Sequence, residues 1–284
     1  MVVKSLINFN YKDIISLLKP SLIARVCYLC FFMILGNSCG SIIVPGTSKT
    51  QYLYKGKFES ITQADFSDHL ASLSQSFLST PNVKVVINRT SDGYLKNLTA
   101  EIIAKNEIFF KNLREAKVTI LDYAAPIHFS LPKGDIYLSS GLISKYIKHE
   151  SMLVSILSYE MVRSENLLYP KQLIIPIGFI TLERLLSLGR LNIEEKVEVH
   201  KWAHYLTIRS GYDGEYYLSW LQTQNRNTAD FILQVGDVNL INREEFLFKA
   251  FLIKNASDGD EIALRKNSSK SFYAFINSIR DKNL

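Results

Sequence analysis

One predicted helix constrains this chain more than any other feature, because it carries a glutamate in the middle of its apolar face. The apolar spacing predicts a helix over His149–Ser164, and at about 100° per residue Glu160 falls between Ile156 and Leu153. A carboxylate buried alone there would be strongly destabilising, so it needs a partner. Arg163 follows three residues later and can reach it, which indicates an ion pair at the edge of a core.

The same residues also have the spacing of a metal-binding motif. Tyr159-Glu160-x-x-Arg163 occupies the frame of His-Glu-x-x-His, in which two histidines one helical turn apart bind zinc and the glutamate activates water. Here the glutamate is present and both histidines are absent. These five residues alone fit both a degenerate zinc motif and a simple ion pair. The flanking sequence is needed to distinguish the two interpretations.

Three flanking segments carry a family likeness. They are Val83–Leu98, VTILDYAAPIHFSLPKGDIYLSSGLI at 118–143, and EVHKWAHYLTIRSGYD at 198–213. Together they resemble the HtpX-type zinc metallopeptidases, which include periplasmic members such as BepA, over roughly residues 58–224. The resemblance implies an α+β fold: a zincin-like metallopeptidase domain with a small mixed sheet and a helical majority.

The resemblance also assigns roles to the residues of the degenerate motif. Tyr159 and Arg163 stand at the two histidine ligands, Glu160 at the general base, and Glu198 at the glutamate ligand. A phenol is a poor zinc ligand at neutral pH, and a guanidinium has no free lone pair. The resemblance therefore implies an inactive homologue with no metal and no other cofactor. We expect Arg163 to replace the cation by bridging Glu160 and Glu198.

A peptide groove is a further expectation from the resemblance. An edge strand near Asp135–Leu138 would accept an extended peptide, with His128, Phe129, Asp135 and Tyr137 as groove residues. His200 and His204 also lie one helical turn apart, but they are predicted to face away from the apolar side marked by Val199, Trp202, Ala203 and Leu206. A metal site there is not favoured. His149 is predicted to be a surface or helix-capping residue.

The first 57 residues have the pattern of an export signal. Lys4, Lys12, Lys19 and Arg25 precede an apolar run, Val26–Gly36, which is shorter than the roughly 20 residues of a membrane-spanning helix. Small residues then lead to Cys39, which resembles a bacterial lipobox. We expect a leader at 1–38, acylation of Cys39, a tether at 39–57 and the metallopeptidase-like domain at 58–284. A retained membrane anchor and simple secretion remain alternatives.

Charge and cysteine content argue against some classes of protein. All three cysteines, Cys27, Cys30 and Cys39, lie in this N-terminal region, so the body has no disulfide framework. The net charge of +6 includes four basic and one acidic leader residue, so cleavage would leave +3. No basic–aromatic ladder remains, which argues against nucleic-acid binding.

The expected function follows from these features. We expect a lipid-anchored protein on the periplasmic face of the bacterial cell envelope. It would be a catalytically inactive metallopeptidase homologue that binds an envelope or secreted protein partner, such as an extended peptide segment. A structural lipoprotein with a closed groove and an atypical metal-dependent peptidase are the alternatives.

Periodicity and turn residues predict the remaining elements. A turn is expected at Ser91-Asp92-Gly93. Strands are predicted at 83–87, 117–121 and 135–138, and helices at 58–78, 95–113, 140–147, 149–164, 172–188, 193–209, 215–221, 243–253 and 269–279.

Overall fold

The computed structural model describes residues 62–169, 179–255 and 267–280. The predicted leader, Cys39 and the tether at 39–57 lie outside these residues, as does most of the first half of the predicted helix 172–188. All described residues belong to one unit, Ile61–Leu284. Within them, no helix is both long and apolar enough to span a membrane.

Ten α-helices make up most of the described chain, and local capping sets where several of them begin. Asn88 caps the second helix, and His149 caps the fourth by accepting a hydrogen bond from the Ser151 N–H, which confirms its predicted capping role. The helices are α1 (Gln63–Leu78), α2 (Arg89–Lys105), α3 (Ser140–Lys145), α4 (Glu150–Glu165), α5 (Leu182–Leu188), α6 (Ile193–Arg209), α7 (Glu215–Arg226), α8 (Thr228–Val235), α9 (Val238–Lys254) and α10 (Lys270–Arg280).

The described strands form a small mixed sheet. They are β1 (Lys117–Leu121), β2 (His128–Leu131) and β3 (Asp135–Ser139), in the order β1-β3-β2. β3 is parallel to β1 and antiparallel to β2. The predicted α+β class, with a small mixed sheet and a helical majority, is therefore confirmed.

The predicted position of the sheet edge is wrong. We expected the segment Asp135–Leu138 at an edge, but β3 is the central strand and has a partner on each side. A strand bonded on both sides has no free row of backbone N–H and C=O groups to offer to a peptide. The groove expected at Asp135 and Tyr137 is therefore not available on this strand.

Other local differences have clear causes. The predicted turn at Ser91-Asp92-Gly93 lies inside α2, because the Asn88 side chain accepts hydrogen bonds from the Thr90 and Ser91 N–H groups and starts the helix earlier. The predicted strand 83–87 forms only an isolated bridge to Leu121. Neither β2 nor α8 is among the elements predicted from the sequence. The four residues of β2 alternate polar and apolar side chains, yet all four are buried, His128 and Ser130 included.

Helix α4 lies at the centre of the described fold. It packs against α2, α6, α7, β2 and β3, and every one of its residues is buried. The amphipathic helix predicted from the sequence is thus covered on its polar side as well. Its buried terminal charges have partners: Glu150 accepts from the Tyr94 hydroxyl, and Glu165 accepts from the backbone N–H groups of Lys111, Asn112 and Leu113.

The sheet is covered on both faces because alternate residues of a strand point to opposite sides. Ile136 and Leu138 of β3 belong to the large core cluster around α4. Tyr137, between them, belongs to a second cluster with α1, where Phe77 packs edge-on against its ring. The sheet therefore separates α1 from α4.

The link between β2 and β3 requires a glycine. Gly134 has φ +82°, and a Cβ there would lie 2.5 Å from the Glu115 carbonyl oxygen. Its N–H donates to the Ser164 hydroxyl, which in turn donates to the Leu131 carbonyl. This link therefore ties the β2–β3 hairpin to the last turn of α4.

Replacing Gly134 tests this constraint. Gly134→Ala should lower the free energy of unfolding by about 1–2 kcal/mol or more, because an L-residue is strained at this φ and its Cβ meets the backbone. Gly93→Ala is the matched control: Gly93 lies in α2, and nothing lies within 4 Å of the place that an alanine Cβ would take, so this change should stabilise by about 0.5–1 kcal/mol. Urea unfolding followed by circular dichroism measures both. Equal midpoints for the two variants would contradict this account.

Candidate functional site

The Tyr159-Glu160-x-x-Arg163 motif lies in the second half of α4, beside β2, and its glutamate is completely buried. Glu160 Oε1 accepts a hydrogen bond from His128 Nδ1 at 2.6 Å. Its Oε2 accepts one from the Ser130 hydroxyl at 2.7 Å and one from Arg163 Nη1 at 3.1 Å. His128 and Ser130 are alternate residues of β2, so both side chains are on the strand face toward α4.

These partners determine whether the Glu160 carboxyl group is ionised. Burial alone would raise the pKa of Glu160, but the Arg163 charge and the hydrogen bonds from His128 and Ser130 outweigh it, so the pKa is lowered. Burial would likewise lower the pKa of Arg163, but the Glu160 charge outweighs burial and the pKa is raised. The predicted Glu160–Arg163 ion pair is confirmed, and it lies inside the core rather than at its edge.

The expected bridge from Arg163 to Glu198 is wrong. The Glu198 side chain is 61% exposed and forms an ion pair with Lys201 on the outer side of α6. Arg163 Nη2 instead donates to the Gly189 carbonyl oxygen at 2.8 Å. Arg163 therefore holds one carboxylate and one backbone carbonyl, and Glu198 is not part of the buried site.

A second buried network, which sequence analysis did not predict, faces the first. His200 Nδ1 is 2.8 Å from the Tyr217 hydroxyl, and His200 Nε2 is 3.2 Å from Glu244 Oε2. Lys196 Nζ donates to the other oxygen of Glu244 at 2.5 Å. Burial lowers the pKa of His200 despite the opposing effect of Glu244, so the ring is neutral at pH 7.

The predicted outward orientation of His200 and His204 is therefore wrong. Both histidines are buried, because α9 packs over their side of α6 and Tyr217 of α7 contacts His200. Trp202, which was predicted to be on the apolar side, is 49% exposed. The helical wheel of α6 gives its periodicity but contains no information about which distant helix covers it. The sequence signal that was missed is Glu244, a carboxylate on the apolar side of a predicted tail helix.

Tyr159 lies between the two networks. Its ring centroid is 6.0 Å from that of His128 and 5.1 Å from that of His200. Burial raises the pKa of the Tyr159 hydroxyl, and the nearby Arg163 charge lowers it by less. The phenol therefore stays protonated, and a protonated phenol is a poor metal ligand.

A cavity of about 70 Å³ remains beside Tyr159. It has room for a few water molecules or one small molecule, not for a polypeptide. Strand β2, helices α4 to α9 and the α5–α6 link surround it, and its polar lining includes His128, Tyr159, Arg163, Arg190, His200 and Glu244.

The four expected groove residues do not lie on one face of the sheet. His128 is held in the Glu160 network, and Phe129 lines the cavity. The Phe129 ring also stacks on Tyr137, with centroids 4.6 Å apart, and the Tyr137 hydroxyl hydrogen-bonds to Ser74 in the second core cluster. Asp135 begins the central strand and does not line the cavity. These residues do not form one open groove.

The residues at the motif do not fit a zinc ion. Glu160 already accepts hydrogen bonds from three donors, Arg163 has no lone pair to give, and Glu198 is on the outer side of α6. Over 62–169, 179–255 and 267–280, no group of three or more His, Cys, Asp or Glu side chains is placed to hold a metal ion.

Comparison of the chain with protein-family models and with curated protein sequences gives no significant match. The likeness to HtpX-type metallopeptidases therefore depends on the motifs described above.

A double-mutant cycle tests the buried pair. Glu160→Gln and Arg163→Met should each lower the free energy of unfolding by about 3–5 kcal/mol, because each leaves an uncompensated buried charge. In the double variant, the free energy of unfolding should fall by less than the sum of the two single decreases. Glu198→Gln is the matched control and should change stability by less than about 1 kcal/mol, because that pair is exposed. If Glu160→Gln lowers the free energy of unfolding no more than Glu198→Gln does, the central role of the pair is refuted.

Proposed function

We propose that this protein is a catalytically inactive, lipid-anchored protein of the bacterial cell envelope that is related to HtpX-type metallopeptidases and acts by contacting other proteins. One observation carries the proposal: the carboxylate at the position of the catalytic base is buried and bonded to His128, Ser130 and Arg163. A general base needs a carboxylate within reach of a water that it can deprotonate. Glu160 has no exposed oxygen for that role.

A closed groove is better supported than an open groove that binds a peptide. β3 is central, so only β1 and β2 have outer sides among the described strands. On β2, the Gln234 side chain accepts from the His128 N–H at 3.0 Å and donates to the His128 carbonyl at 2.8 Å. The Gln234 amide therefore occupies the N–H and C=O of His128, which an added peptide strand would use. We infer that partner proteins bind elsewhere.

A group of exposed and half-buried aromatic side chains supports contact at the outer surface. Phe109 is 5.3 Å from Trp202, and Tyr205 is 5.7 Å from Phe251, between ring centroids. We call these four residues the aromatic patch. Trp202 and Tyr205 are 49% and 43% exposed, and both residue types are enriched at protein interfaces. The nearby Glu198–Lys201 pair presents both signs of charge, which suits a protein partner better than an anionic lipid surface.

The envelope location depends on the lipobox-like sequence. Cys39 lies outside the described residues, so its acylation is part of the proposal. Within the described residues, the fold offers no membrane-spanning helix in its place. Attachment through an acylated cysteine would leave the folded body free to meet a protein partner at the membrane surface.

Metal analysis tests the loss of catalysis. Purified full-length protein incubated with zinc and then desalted should retain less than stoichiometric metal, and a chelator should leave its melting temperature unchanged, because no ligand set is present among the described residues. Elemental analysis and thermal unfolding measure these quantities. Stoichiometric zinc, or peptide hydrolysis that a chelator abolishes, would instead identify an atypical metal-dependent peptidase.

Photocrosslinking tests where a partner binds. A photoreactive amino acid in place of Trp202 should crosslink to a specific envelope or secreted protein in the native membrane fraction. Tyr273 on α10 is the matched control, because it is also an exposed aromatic residue, at 54%, and lies outside the aromatic patch. The same partner captured equally from position 273, or none captured from position 202, would contradict this assignment.

A further inference from the structure

The cavity beside Tyr159 has more positive than negative charge around it. Lys196 and Glu244 line it and neutralise each other at 2.5 Å. Arg163 also lines it and is neutralised by Glu160 behind the cavity wall. A third cation, Arg190, remains, and unlike Arg163 it is an exposed residue.

Arg190 has no carboxylate partner in the described part of the chain. Its Nη2 donates to the Leu233 carbonyl oxygen at 3.4 Å, and it takes part in none of the ion pairs of that region. Leaving the histidines aside, three cations and two carboxylates give the cavity one excess positive charge. His200 adds none at pH 7, since burial lowers its pKa. A monoanion would balance this excess.

The buried guanidinium also has an unused donor. Arg163 is 2% exposed, and its Nε has no hydrogen-bond partner among the described residues. An unsatisfied buried N–H is costly, and the cost is greater when the group is charged. An acceptor that reached Nε would relieve this cost.

Two glycines leave the space that the two guanidinium groups occupy. A Cβ at Gly189 would lie 2.7 Å from Arg163 Nη2, and a Cβ at Gly236 would lie 2.5 Å from Arg190 Cζ. Both contacts are too close for any larger residue unless the arginines move. The fold therefore accommodates both guanidinium groups where they meet the cavity.

The rest of the cavity wall is largely apolar. It includes Leu191, Trp220, Val235 and Leu240. A ligand that fits must therefore combine a small anionic group with an apolar part.

We infer that this cavity binds a small organic carboxylate, with the carboxylate on Arg163 and Arg190 and the apolar tail against the apolar wall. Guanidinium groups match the planar carboxylate with two donors each. The cavity volume of about 70 Å³ limits the ligand to a short chain. The carboxylate could belong to a free short-chain acid or to the C-terminus of a peptide. This inference goes beyond the proposed function and does not depend on it.

Calorimetric titration of the full-length protein with butyrate tests the site. Butyrate should bind, and butyramide, which has the same shape without the charge, should not. Arg190→Gln should weaken butyrate binding at least about tenfold, as expected for the loss of a charge-assisted hydrogen bond. Arg184→Gln is the matched control, because Arg184 is exposed like Arg190 but lies on the neighbouring α5 and does not line the cavity. Near-ultraviolet circular dichroism checks that both variants keep the fold.

Further titrations separate the two sources of the carboxylate. A short peptide with a free C-terminus that binds more tightly than butyrate, and loses binding on amidation, identifies a peptide terminus as the source. Binding confined to butyrate identifies a free acid. No heat with butyrate, equal binding of butyramide or of inorganic phosphate, or an unchanged affinity in Arg190→Gln overturns the inference.

Discussion

The buried ion pair between Glu160 and Arg163 is the interaction on which the rest of the structure depends. It lies on a helix that is buried on all sides, where an unpaired charge would cost several kcal/mol. The elements around α4 must therefore supply hydrogen bonds as well as apolar contacts. β2 supplies His128 and Ser130, and the link after α5 supplies the Gly189 carbonyl. A shift of β2 by one residue would turn both of its donors away, so the pair also specifies the strand register.

The second network shows how the C-terminal helices complete the fold. α6, α7 and α9 contribute His200, Tyr217 and Glu244, which form a connected buried group opposite the first network. Tyr159 separates the two groups, and its apolar ring lets them approach without direct contact between their charges. Together these contacts close the cleft down to a small cavity with one more cation than anion. This excess of positive charge is the basis for proposing that the cavity recognises a small anion.

Sequence reasoning was accurate where the relevant contacts are local. Strand Lys117–Leu121 and helix Ile193–Arg209 have the bounds that their patterns predict, and the ion pair of Glu160 and Arg163 joins residues one helical turn apart. It failed where a contact joins distant segments. Glu198 was expected in the site because of a family position, yet its carboxylate faces outward, and Glu244 from a later helix occupies the buried position beside His200.

The sequence by itself determined that Tyr159 and Arg163 stand where the frame His-Glu-x-x-His would have histidines, that this guanidinium lies one turn from Glu160, and that the chain forms a helical α+β domain. These features depend on residue identity and on the periodicity of single elements, which a sequence contains directly. Only the tertiary structure decided that β3 is central, that His200 is buried, and that Arg163 meets a carbonyl instead of a second carboxylate. The physical reason is that each of these depends on which distant segment covers a given face, and packing of the whole chain selects that segment.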